Sequence, residues 1–259
     1  MEDFHKETIT IINKTYPETG KTVMQKYGYI VCMGGINQDG EWRRLYPIPH
    51  EIYWNPKYEK QRVKKWDIIE VKLKKAPQNK DPRKESHTID WRSINIVGHI
   101  GTENNWADRK RILEKYRASG MNELNDAKYK DWSSMGIIKP KHIKSFEERE
   151  RHQISDQGYL QVMDVQLTLF PNEMARPTPT KINKWIGYVY ECEDDDCRGH
   201  QMMVTDWECQ EQYRRLGFKK THQKFFDWMM NRDVYFGIGT VQKFWTFIIV
   251  SVAYPPKMS

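Results

Sequence analysis

Alternating apolar and polar positions predict strands over most of the first hundred residues. Segment 8–14 alternates and is rich in β-branched residues, and segments 26–36 and 41–49 flank an Asn-Gln-Asp-Gly stretch that is typical of a hairpin turn. Segments 66–75 and 87–100 predict two further strands. Short strands joined by basic loops are typical of a small barrel, so we expect an N-terminal β-barrel or a strongly curled sheet.

Helical spacing replaces this alternation in the middle of the chain. Segment 104–120 predicts a helix that begins at a capping box around Asn105 and ends at Gly120. Segment 121–132 predicts a second helix with a weaker pattern, and segment 135–147 returns to extended chain.

The last third of the chain mixes strands with helices. The predicted strands are 184–192, 200–205, 234–239 and 244–254, and the predicted helices are 206–216 and 219–231. The fold class we expect is α+β, with an N-terminal curled sheet or barrel, a helical middle and a C-terminal antiparallel sheet with helices.

A proline-rich stretch suggests where the chain divides. Residues 171–181 contain three prolines and predict a linker or a long loop. We therefore expect a basic, nucleic-acid-binding part at 1–170 and an α+β part at 171–259 that contributes to the site. A single integrated domain is the alternative.

Positive charge is concentrated in one short region of the chain. The net charge is +7, and residues 57–84 hold 11 Lys and Arg against 4 Asp and Glu, whereas residues 151–259 hold 13 of each. A local basic patch favours a polyanionic partner, so we expect the chain to bind nucleic acid. A solvated lysine-rich face is the plainer alternative.

Cysteine content and apolar run length indicate the compartment. Four cysteines in 259 residues, without an apolar leader, favour a reducing cytoplasm over a disulfide framework. The apolar run at 244–254 is too short to span a bilayer. We expect a cytoplasmic protein with no membrane segment, no cofactor and no obligate protein partner.

Aromatic and basic side chains alternate around the predicted hairpin. Trp42 and Tyr46 flank Arg43 and Arg44, which fall on opposite faces of their strand, and such a surface can stack a base and hold a phosphate. Core packing is the alternative for each aromatic ring. The further residues that we expect to contact nucleic acid are Lys64, Lys65, Lys74, Lys75, Lys80, Arg83 and Lys84.

Two pairs of glycines lie in predicted strands. Gly34 and Gly35 lack the lysine and the strand-to-helix context of a phosphate-binding loop, so they predict a bulge or a close backbone approach. Gly237 and Gly239, beside Tyr235, predict backbone that lines a pocket for a flat ligand. Close packing of strands would explain the same glycines.

The segment 192–211 offers two kinds of chemistry. Cys192, Cys197 and His200 could bind zinc, but the spacing is irregular, so zinc is the minor alternative to a hairpin turn with reduced cysteines. Asp206 precedes a predicted helix as an N-cap, which should lower the pKa of its carboxyl and leave one oxygen free. Asp206, with Glu208, is therefore the candidate catalytic carboxylate, and a plain cap is its alternative.

Several sequence blocks together resemble a known group of proteins. The blocks "YGYIVCMGGINQDGEWRRLYPIP", "DPRKES", "NNWADRKRI", "MMVTDWE" and "DVYFGIGT…FIIVSVAYPP" cover nearly the whole chain and resemble a sparsely characterised bacterial family. They are also similar to anti-phage DNA glycosylases that excise glucosylated hydroxymethylcytosine. The resemblance implies a DNA-binding enzyme of phage defence that flips a modified base and cleaves its N-glycosidic bond.

Two other functions fit the same residues. A metal-dependent nuclease would use Asp206, Glu208 and His200, and a non-catalytic reader of modified nucleic acid would bind without turnover. A glycosylase of the lyase type would need a nucleophilic lysine, which a chain with 42 Lys and Arg residues does not single out.

Overall fold

The computed structural model describes residues 3–17, 28–150, 182, 184–241 and 245–257. The predicted linker at 171–181 and the predicted domain boundary after residue 170 lie outside these ranges.

Five strands of the N-terminal region close into a barrel. They are β1 (His5–Lys14), β2 (Ile30–Asn37), β3 (Trp42–Pro49), β4 (Asp67–Lys75) and β5 (Ser86–His99), in the order β1-β2-β3-β5-β4. All neighbours are antiparallel except β3 and β5, and β4 pairs with β1 to close the ring. The predicted barrel is confirmed.

The barrel interior follows directly from the alternation in the strands. Along β4, Ile69, Val71 and Leu73 are buried, whereas Lys72 between them is exposed. Apolar side chains of all five strands fill the interior and remove water from it, which is the main force that closes the sheet. Two short 3₁₀ helices, His50–Tyr53 and Pro56–Gln61, lie between β3 and β4.

Two helices follow the barrel, α1 (Glu103–Lys115) and α2 (Met121–Asp131). The capping box expected at Asn105 is wrong, because Asn105 has a positive φ of 56° between two other left-handed residues. Gly120, expected to end the first helix, instead precedes α2 as its N-cap residue. Local sequence therefore indicates the helices but not their first turns.

The C-terminal part contains two three-stranded antiparallel sheets, in the orders β11-β10-β6 and β7-β8-β9. Their strands are β6 (Met135–Ile138), β7 (His142–Glu150), β8 (Lys184–Glu191), β9 (His200–Met203), β10 (Tyr235–Val241) and β11 (Thr246–Ala253). The expected α+β class, with helices between a barrel and antiparallel sheets, is confirmed.

A long helix, α3 (Trp207–His222), follows β9 and continues into a π-helical turn at Gln223–Trp228. The sequence predicted two helices with a break near residue 217. Gly217 has φ 75° and ψ 176° inside α3, so the break occurs where predicted.

The barrel and the C-terminal sheets are joined at the end of β1. The Tyr16 N–H donates to the Thr205 carbonyl at 2.7 Å, and Thr15 forms an isolated bridge with Asp206. Apolar side chains from both parts, including Ile12 and Tyr235, pack at this junction. Within the described ranges, no helix is both long enough and apolar enough to cross a membrane.

Candidate functional site

Asp206 is an N-cap, as predicted, but both of its oxygens are engaged. Oδ1 accepts from the Cys209 N–H at 3.0 Å, and Oδ2 accepts from the Lys65 ammonium at 2.7 Å and from the Val252 N–H at 3.1 Å. The side chain is fully buried. The expected free oxygen is therefore wrong, because the carboxylate joins the barrel, α3 and β11.

The expected lowering of the Asp206 pKa is also wrong. Burial raises the pKa of the Asp206 carboxyl, and the Lys65 ammonium and the cap hydrogen bond only partly oppose this rise. Asp206 thus has no face open to a substrate, and it acts on the site only through its neighbours.

Lys65 lies between a buried carboxylate and an exposed one. Its Nζ is 2.7 Å from Asp206 and 3.1 Å from Glu208, whose side chain is 51% exposed. Burial alone would lower the pKa of Lys65, but the two carboxylates raise it above the usual value. Burial works to raise the pKa of Glu208, and Lys65 nevertheless keeps it below its usual value. Glu208 is therefore the ionised carboxylate that solvent reaches.

A second lysine, Lys14, has the opposite electrostatic environment. Its Nζ lies 3.8 Å from the centre of the Tyr53 ring and 4.1 Å from that of Trp207, and it donates to the Val63 carbonyl at 3.1 Å. Burial, with the repulsion of Lys65, lowers the pKa of the Lys14 ammonium to about 7. Burial thus favours the neutral, nucleophilic form of the Lys14 amine.

Four aromatic side chains form a cluster centred on Trp207, and two of them, Tyr53 and Trp207, contact the Lys14 amine. The centre of the Trp207 ring lies 4.9 Å from that of Tyr53, 5.8 Å from that of His50 and 6.0 Å from that of Tyr16. Burial and the charge of Lys14 lower the pKa of His50 to about 4, so its imidazole is neutral at pH 7. All four rings are partly exposed, so they offer a stacking surface above the amine.

Sequence reasoning missed Lys14, His50, Tyr53 and Trp207. One signal was available for Lys14, because it ends the apolar strand segment Thr8–Lys14, where a charged side chain is unusual. Nothing local to the sequence connects it with Trp207, which lies almost two hundred residues later.

The predicted nucleic-acid residues do not form one surface, because several of them have partners inside the protein. Arg43 forms ion pairs with Glu7 and Glu41, and Arg44 is buried, with Nη2 2.9 Å from Ser134 Oγ. Arg83 is buried and binds Asp81 and the Thr240 carbonyl, and Lys65 is buried as described above. Trp42 packs partly into the junction, and Lys74 lies over the Phe4 ring. Lys75 donates to the Arg83 and Lys84 carbonyls, and Lys84 pairs with Asp131. The remaining residues, Tyr46, Lys64 and Lys80, are exposed.

One basic loop lies beside the site. Residues 50–66 supply His50, Tyr53 and Lys65, and they hold five Lys and Arg against two Glu. Lys57, Lys60 and Lys64 of this loop are exposed. The loop that supplies His50, Tyr53 and Lys65 thus also carries exposed positive charge.

The structure brings three of the predicted pocket glycines around Asn13 and Arg44, inside the junction between barrel and sheet. A Cβ on Gly34 would lie 3.2 Å from Asn13 Nδ2, and one on Gly237 would lie 2.3 Å from Asn13 Oδ1. Gly239 lies beside Arg44, Gly35 packs on the Thr10 backbone, and the buried Tyr235 donates its hydroxyl to Glu114. These glycines let β2 and β10 approach their neighbours closely.

Cys192, Cys197 and His200 converge in the turn between β8 and β9, away from the segment that carries Asp206. Among the described residues they are the one group of His, Cys, Asp and Glu side chains close enough to share a metal ion. His200 is therefore not grouped with Asp206 and Glu208, as a metal-dependent nuclease would require.

Two protein-family models together match most of the chain. The model of a family described as Domain of unknown function (DUF8757) matches residues 117–259, more than half of the chain. The chain belongs to this family. A second family model, Domain of unknown function (DUF8758), matches residues 5–115. No curated protein matches the chain.

The site draws on both matched regions. Lys14, His50, Tyr53 and Lys65 lie in the segment matched by DUF8758, and the segment Asp206–Glu208 lies in the one matched by DUF8757. The ion pair of Lys65 with Asp206 thus joins the two regions at the candidate site.

Proposed function

We propose that the chain is a DNA-binding enzyme that excises a modified base by cleaving its N-glycosidic bond. The observation that carries the proposal is the Lys14 amine, whose pKa is lowered to about 7, beneath a partly exposed aromatic surface. A flipped base would stack on Trp207 and Tyr53. The exposed lysines Lys57, Lys60 and Lys64 would hold the phosphates on either side of it.

Two lysines with opposite pKa shifts support distinct chemical roles. The neutral Lys14 amine would attack C1′, so that a C1′–N bond to lysine forms as the bond to the base breaks, and the leaving base takes up a proton from solvent. Glu208, ionised and 3.1 Å from Lys65, would stabilise the positive charge that develops at C1′. Opening of the sugar ring then gives an iminium ion, which water hydrolyses to release Lys14.

The resemblance to anti-phage glycosylases suggests the substrate, glucosylated hydroxymethylcytosine in duplex DNA. The test is incubation of the full chain with normal and glucosylated duplexes, with and without EDTA, followed by assays for free base and abasic sites. We expect release from glucosylated DNA that EDTA does not abolish.

Each alternative function has its own outcome in this assay. Strand cleavage that needs a metal and passes through no abasic site would replace the proposal with a nuclease. Binding to modified duplex without any product would replace it with a reader. A matched pair of variants, Glu208→Gln and Glu211→Gln, separates the site from the rest of α3: only the first should slow release.

A further inference from the structure

The turn between β8 and β9 holds two thiols and an imidazole at ligand distances. The Nε2 atom of His200 lies 3.2 Å from Cys192 Sγ and 3.3 Å from Cys197 Sγ. All three candidate ligand atoms lie within 4.8 Å of one another. Ligands around one tetrahedral ion at bond lengths of about 2.0–2.3 Å are separated by roughly this spacing.

The backbone of the same turn positions the sulfur of Cys197. The N–H groups of Cys192 and Gly199 donate to Cys197 Sγ at 3.3 and 3.4 Å. These hydrogen bonds fix the direction of the sulfur before any ion binds. Gly199 has a φ of 95°, a conformation that favours glycine, so the turn is built to present this N–H.

A disulfide does not account for these contacts. Both cysteines are free, and the imidazole nitrogen lies within 3.3 Å of both sulfurs, a contact that a disulfide does not require. Two thiolates and an imidazole are the ligands that zinc prefers. We propose that Cys192, Cys197 and His200 bind a structural zinc ion. Asp194, whose Oδ2 accepts from Cys192 Sγ at 3.0 Å, is not part of this group, so the fourth position is left for water.

The ion would fix an acidic turn against the start of α2. Asp194 accepts from the Asn122 N–H at 2.9 Å, and Asp196 accepts from the Asn122 side-chain amide at 2.9 Å. Glu193 pairs with Arg117, just before α2. Carboxylates at a helix N-terminus stabilise it, so the metal would hold this cap in place. The role is separate from base excision and stands whether or not the chain has that activity.

Metal analysis of the full chain tests the proposal. After incubation with one equivalent of zinc and desalting, we expect one zinc per chain by mass spectrometry of the metal. Cys197→Ser and His200→Ala should lose it, and Cys32→Ser, which changes a cysteine on β2, should keep it. Zinc retained by both site variants, or no zinc in the wild-type chain, would overturn the proposal.

Two measurements protect this test from variants that fail to fold. Cobalt added to the metal-free wild-type chain should give thiolate-to-metal charge-transfer absorption, and its absence would count against the site. Thiol titration of the denatured, metal-free wild-type chain should find all four cysteines. Loss of two thiols would overturn the proposal in favour of a disulfide.

Discussion

Lys14 of β1 and Lys65 of the 50–66 loop are both buried, yet their surroundings move their pKa values in opposite directions. Lys65 has two carboxylates within 3.1 Å, which keep it charged despite its burial. Lys14 has two aromatic rings and one carbonyl as its nearest partners, and these do not offset the loss of hydration. Two chemically identical side chains therefore differ because Lys65 pairs directly with carboxylates, whereas the carboxylates that act on Lys14 do not offset its burial.

The pH dependence of Lys14 reactivity follows from its pKa of about 7. The rate of base release should rise roughly tenfold between pH 6 and pH 8 as the neutral amine forms, and then level off. With a lysine of the usual pKa of about 10.4, the neutral fraction, and therefore the rate, would still increase above pH 8. Single-turnover rates across this range measure the effect. A rate that keeps rising tenfold per pH unit to pH 9 would contradict the role of Lys14.

Removing the charge of Asp206 should destabilise the fold. In Asp206→Asn, the side-chain amide nitrogen is itself a donor, and it would face either the Cys209 N–H or the Lys65 ammonium and the Val252 N–H. Lys65 would also lose its buried anionic partner. We expect a loss of about 3–5 kcal/mol in urea unfolding, as for other buried pairs broken on one side. Glu211→Gln breaks a half-exposed pair with Arg214 on the same helix and should cost about 0.5 kcal/mol or less. A loss under about 1 kcal/mol for Asp206→Asn would contradict this account of the ion pair.

The sequence predicted the position of Asp206 but not its environment. An N-cap depends on the residues that follow it, so Asp206 could be identified from local sequence. Its partners Lys65 and Val252 are 141 and 46 residues away, and no local pattern connects them. The same distance explains why Trp207 was not assigned to Lys14.

At the scale of elements, β1 shows where alternation stops being informative. Residues 8–11 alternate between partly exposed and buried positions, but from Ile11 to Lys14 every side chain is buried. The register shifts between Ile11 and Asn13, and the strand there lies between the barrel and the C-terminal sheet. Strand positions could thus be predicted from the sequence, whereas burial of both faces could not.

Gly35 should tolerate no side chain, in contrast to Gly98 of β5. A Cβ at Gly35 would lie 2.2 Å from the Thr10 carbonyl oxygen, which is backbone and cannot swing away. A Cβ at Gly98 would meet only the Ile68 side chain, at 3.4 Å. Thermal or urea unfolding should show a loss of about 1–3 kcal/mol for Gly35→Ala and a change within about 0.5 kcal/mol for Gly98→Ala. Equal effects would contradict the close strand approach.

The basic segment 57–84 shows that counting charges does not identify surfaces. Lys65 and Arg83 are buried with carboxylate partners, and Lys84 pairs with Asp131. Charge density in the sequence locates the lysines and arginines along the chain, but which of them reach solvent depends on the fold.

At the scale of the whole molecule, the exposed lysines of the 50–66 loop should govern DNA affinity. Changing Lys57, Lys60 and Lys64 together to Gln should weaken duplex binding and reduce the slope of log K against log salt by up to about 2.7, or about 0.9 per phosphate contact. Lys219→Gln with Lys220→Gln, near the far end of α3, is the control and should leave the slope unchanged. Equal losses in both sets would indicate only a general charge effect.

Borohydride trapping on glucosylated duplex DNA tests the central proposal most directly. Reduction of the iminium ion would leave the chain covalently attached to the DNA through a secondary amine at Lys14, which peptide mass spectrometry can locate. We expect this adduct with the wild-type chain, no adduct with Lys14→Gln, and an unchanged yield with Lys219→Gln. Base release by Lys14→Gln at the wild-type rate, with no adduct in either protein, would contradict it.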